Sequence, residues 1–82
     1  MTFLEEGNCS MNNGDYEMAI EHYERCLNVA NENSLKTIAY FSLGNAYTLS
    51  NKRKEAINCF NDCLKLSSEL EIKYFQHQIY LG

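Results

Sequence analysis

Eighty-two residues with a formal net charge of −4, four glycines and no proline make one small domain, able to bury roughly 60–65% of the surface its unfolded chain exposes. The acidic balance argues against nucleic acid and against anionic membrane surfaces as partners, and no apolar run of about 18 residues is present to span a bilayer. The opening MTFLEEGNCS lacks the basic and apolar regions of a secretory signal; with cysteines that fall inside helical patterns rather than in a disulfide framework, a reducing, cytoplasmic setting is expected.

Thr2-x-x-Glu5 is a capping-box signature, so a first helix is predicted from Phe3 to about Asn12, with Phe3, Leu4, Gly7, Ser10 and Met11 at helical spacing. Asn13-Gly14 reads as a stop and Asp15 as a fresh N-cap. The second helix then carries Tyr16, Ala19, Ile20, Tyr23, Cys26, Leu27 and Ala30 on one face, opposite the charged face of Glu17, Glu21, Glu24 and Arg25. Asn31-Glu32-Asn33-Ser34 is a loop composition, a third helix follows to about Leu49, and Ser50-Asn51-Lys52 turns the chain into a fourth that runs to about Leu66. Ser68-x-x-Glu71 is a second capping box and predicts a separate fifth helix ending at Tyr80-Leu81-Gly82. The expectation is all-α, with antiparallel neighbours and no strand.

Sliding the chain by 37 residues brings Gly7-Asn8 onto Gly44-Asn45, Ala19-Ile20 onto Ala56-Ile57, Tyr23 onto Phe60, and Cys26-Leu27 onto Cys63-Leu64. A period in the thirties is the mark of a stacked solenoid. Leu43-Gly44, Tyr47, Ala56, Phe60 and Cys63 resemble the tetratricopeptide pattern L-G-x-x-Y…A-x-x-x-F, and the first copy keeps Gly7, Ala19, Tyr23 and Cys26 with Glu6 and Ser10 in place of Leu and Tyr. The 37-residue period is similar to that of the extended L-G-N-A-Y members of the family, while the closing proline of each unit is replaced by Asn31 and Ser68. The resemblance implies a tetratricopeptide-like solenoid of helical hairpins: repeat one over 1–33, repeat two over 34–67, and the first helix of a third over 68–82.

Neither a metal site nor a catalytic one is expected. Cys59 and Cys63 stand at i, i+4, but no C-x-x-C occurs and Cys63 repeats Cys26, as a packing residue would. Cys26 and His22 share a helix face without an orienting third group or an oxyanion donor. Lys52-Arg53-Lys54 reads as a solvated turn. No cofactor is implied. In the resembled family the first helix of each unit lines a concave groove, and an asparagine after the repeat glycine grips a ligand's main chain; Asn8 and Asn45 stand there. An amide donates and accepts at once, so it can pair with a peptide group whatever the ligand's sequence. Leu4 and Met11 from the first copy and Ile38, Phe41 and Leu49 from the second would make that groove apolar. The family's clamp for acidic chain ends needs basic residues where this chain has Leu4, Gln76 and Tyr80, so an apolar peptide or protein segment is the expected partner. The alternative is a structural unit of a longer array that self-associates, as a homo-oligomer, through Ile72, Phe75, Ile79 and Tyr80 of the terminal helix.

Overall fold

The computed structural model describes residues 2–81, and the side-chain surroundings of residues 2–68. Helix α1 spans Phe3–Asn12, α2 Tyr16–Val29, α3 Asn33–Leu49 and α4 Arg53–Leu81, and each packs on the next. There is no strand among the described residues. The capping box forms as expected: Thr2 Oγ1 accepts the Glu5 N–H at 3.1 Å, and the Glu5 carboxylate takes the Thr2 N–H at 3.3 Å. Asp15 occupies the N-cap position of α2, but its side chain makes no capping bond.

The two hairpin turns are copies of each other. Gly14 and Asn51, one repeat apart, both take positive φ, at 78° and 64°. The next residue then bonds back into the finished helix, Asp15 N–H to Ser10 O at 2.8 Å and Lys52 N–H to Tyr47 O at 2.8 Å. Glycine and asparagine are the residues that tolerate this left-handed backbone.

The core is one cluster of Ala19, Ile20, Tyr23, Leu43, Ala46 and Cys59, with Leu4, Met11, Leu27, Tyr40 and Tyr47 packed against it. Helix α2 lies at its centre and uses two apolar stripes. Ala19, Tyr23 and Cys26 are buried, and so is Ile20. The neighbouring aromatics of α3 divide as helical geometry demands: Tyr40 packs on the core, while Phe41 is exposed and meets Phe60 edge-on, ring centres 6.0 Å apart.

One expectation is corrected. There is no separate fifth helix: α4 runs unbroken for 29 residues, about 43 Å at the usual rise, through Ser67 and Ser68. The sequence KLSSELEI around that point contains neither glycine nor proline. Serine costs a helix only about half a kcal/mol, less than ending one helix and nucleating another. At the equivalent place in the first copy, Ala30 takes ψ of 128° and two asparagines follow, and there the helix does stop. Ile72, Phe75, Ile79 and Tyr80 have side chains outside the described residues.

Candidate functional site: the groove between α1 and α3

Four of the expected groove residues come together. Asn8 and Met11 of α1 and Phe41 and Asn45 of α3, with Asn12, Tyr23 and Ser42, line an open concavity of about 230 Å³. Ile38 and Leu49 are exposed on α3 beyond these lining residues. Leu4 lies elsewhere. It packs on the core and lines a second, more apolar concavity of about 480 Å³ with Thr2, Phe3, Cys26, Val29 and Leu35.

The two asparagines differ in a way the sequence pattern did not reveal. Tyr23 is 2% exposed, and its hydroxyl donates to Asn8 Oδ1 at 2.6 Å. Burial pushes the phenol's pKa up, with Ser42 opposing, so it remains a donor at neutral pH. In the second copy Phe60 replaces Tyr23 and has no hydroxyl. Asn45 is half-buried and has no side-chain hydrogen bond among the described residues, leaving its amide free on both sides. A second tyrosine ties the repeats together: Tyr47 of α3 donates to Glu24 Oε1 of α2 at 2.8 Å. Burial and the carboxylate both raise its pKa. Glu24 thus belongs to a helix contact rather than to a merely solvated face.

The odd Glu6 of the first copy also finds its explanation. His22 Nδ1 stands 3.2 Å from Glu6 Oε2, without hydrogen-bond geometry, and is left unsatisfied although buried. One repeat later the same two places hold Leu43 and Cys59, both in the core. Grafting the second pair onto the first, Glu6→Leu with His22→Cys, is expected to raise stability by about 1 kcal/mol, because an imperfect polar pair gives way to apolar packing. Glu6→Leu alone should gain less, since the imidazole stays unpaired. A double variant that melts below the parent protein in thermal unfolding would contradict this.

The two buried thiols are not poised for chemistry. Burial raises the Cys26 pKa, and burial together with Asp62, Glu24 and Glu55 pushes Cys59 up to about 11. Both are protonated at neutral pH and therefore poor nucleophiles or metal ligands. Cys63 Sγ donates to the Thr37 carbonyl at 3.5 Å. Lys52, the first of the basic run, meets Glu17 at 3.4 Å on the surface, a contact worth about 0–1 kcal/mol.

Two stacked helical hairpins, with equivalent glycines pressed on equivalent rings and a groove along the first helix of each, define a helical-repeat protein. The tetratricopeptide repeat family matches residues 1–69, and the chain belongs to it. Comparison with curated proteins gives no match. Members of this family are protein-interaction and scaffold modules and are generally non-catalytic. Among the described residues, no helix is long and apolar enough to cross a membrane.

Proposed function

We propose that this chain is a non-catalytic module that holds an apolar peptide or protein segment in the groove between α1 and α3. The observation that carries the reading is the unpaired Asn45 amide, set beside Phe41 and facing the same concavity as Asn8 and Met11. Phe41 supplies apolar area, and Asn45 supplies a donor and an acceptor for one peptide group of the ligand. Asn8 contributes chiefly its NH2, since one lone pair of its carbonyl oxygen is engaged by Tyr23. With α4 unbroken, the groove has walls from two repeats and no third wall from a separate helix. The same proposal places the chain in a reducing, cytoplasmic setting, supported by its four free thiols.

The test is the affinity of a fluorescent peptide selected from a random library. Asn45→Ala should weaken it by roughly 2- to 10-fold, one net hydrogen bond of about 0.5–1.5 kcal/mol, with melting unchanged. Equal affinity would remove Asn45 from the site. Asn8→Ala is the less clean variant, because it also strands a buried phenol hydroxyl and should lower stability by about 1 kcal/mol.

A further inference from the structure

The two rings behind the groove are placed alike and differ by one oxygen. A Cβ on Gly7 would lie 2.5 Å from Tyr23 Cε1, and a Cβ on Gly44 would lie 2.7 Å from Phe60 Cε1. Each ring thus lies across the glycine that precedes its own copy's asparagine. In the first copy the ring's hydroxyl reaches on to Asn8 Oδ1 at 2.6 Å. In the second copy no hydroxyl is present, and Asn45 keeps both ends of its amide. Asn8, Asn45 and Tyr23 all line the one concavity between α1 and α3.

That bond has a chemical consequence. A surface carboxamide turns about its last torsion at little cost and so exchanges its donor and acceptor ends. A phenol held in a packed core opposes the turn, because a phenol is a better donor than acceptor and the turned amide would face it with a donor. We infer that Tyr23 is a positioning residue: it holds Asn8 with the NH2 toward the ligand, so that the α1 end of the groove takes a carbonyl oxygen. Asn45, with no such partner, takes a carbonyl oxygen and an N–H together. The inference rests on the peptide-groove reading above and narrows its ligand. The segment is extended, and its backbone needs an N–H over α3 but not over α1, so proline is accepted at the α1 end and disfavoured beside Asn45.

Two measurements test this. In the free chain, NMR relaxation of the side-chain amide nitrogens should show Asn8 more ordered than Asn45. Tyr23→Phe should release Asn8 to the level of Asn45, and Phe60→Tyr should order Asn45; Phe60 itself shows that this fold accepts phenylalanine at the ring position. The second measurement uses the library-selected fluorescent peptide with each backbone amide replaced in turn by an ester, which removes an N–H and keeps a carbonyl. The parent chain should lose about 2- to 10-fold in affinity at one position, the one facing Asn45. Tyr23→Phe should add a second sensitive position toward α1, and Phe60→Tyr should abolish the first. A purely structural role for Tyr23 would weaken every peptide evenly and leave the pattern of sensitive positions unchanged. Equal order in Asn8 and Asn45, or the same ester pattern in all three chains, overturns the inference. Undiminished affinity in Asn45→Ala sinks the groove reading instead, and the relaxation measurement still decides what Tyr23 does to Asn8.

Discussion

Gly7→Ala is expected to destabilise the protein by about 2 kcal/mol, although alanine is the better helix former. A Cβ at this position would lie 2.5 Å from Tyr23 Cε1, 2.7 Å from Cδ1 and 2.9 Å from Cζ. The edge of the ring is in the way, not the tip of a flexible chain. Tyr23 cannot yield cheaply, being 2% exposed and tied by its hydroxyl to Asn8. Overpacking of this kind costs about 1–3 kcal/mol, and loss of the Tyr23–Asn8 bond adds about 1. Removing glycine from a helix returns about 0.8–1 kcal/mol. The net loss corresponds to a melting temperature lower by roughly 10 °C in a domain of this size. The second copy is the internal control. At Gly44 a Cβ would lie 2.7 Å from Phe60 Cε1, but Phe60 is only half-buried, has no hydroxyl anchor and leans on the exposed Phe41. Gly44→Ala should therefore cost about half as much. Equal melting of Gly7→Ala and the parent chain would mean that helix and ring are not in van der Waals contact there.

The 37-residue offset made the fold readable because it marks positions where geometry leaves no choice. A helix crossing needs glycine beneath a ring, and a three-residue reversal of this kind needs glycine or asparagine at positive φ. Both recur in sequence. Helix ends depended on how strong their stop was. Asn13-Gly14 and Ser50-Asn51-Lys52 ended helices as expected, whereas Ser68-x-x-Glu71 did not. A capping box shows where a helix can begin, but it does not end a preceding helix made of good helix formers. Of the residues expected in the groove, Asn8, Met11, Phe41 and Asn45 share one concavity. What differs between its two asparagines comes from the α2 and α4 rings behind them, Tyr23 and Phe60. Pairing a position on one helix with its partner on the next requires the packing itself. The same holds for Glu6 and His22, which look like departures from the repeat when read singly and form one substitution when read together. Leu4 was assigned to the groove by helical spacing alone. Spacing fixes the face of a helix but not the height along it, and Leu4, in the first turn of α1, lies beside Val29 and Leu35.

Leucine at the repeat alanines is expected to damage the two copies unequally. Ala19 is fully buried and Ala56 is 4% exposed, so a larger side chain at either must displace its neighbours. Alanine and leucine have nearly the same helix propensity, so the change reads packing and little else. Ala19 sits in the central helix, within the cluster of Ile20, Tyr23, Leu43 and Ala46, and is enclosed from both sides by α1 and α3. Three added carbons have no free direction, and Ala19→Leu should cost about 3 kcal/mol, the upper end for overpacked cores. Ala56 faces α3 alone, because the other flank of α4 is the uncovered stripe of Ile57 and Leu64. There α4 can shift outward as a rigid rod, which relieves the clash without disturbing α1 and α2. Ala56→Leu should therefore cost about 1–2 kcal/mol. Chemical denaturation of both variants decides the matter: the Ala19 variant should unfold at the lower denaturant concentration with an unchanged slope. The reverse order, or no loss in either variant, would show that α2 is not enclosed between α1 and α3 at Ala19.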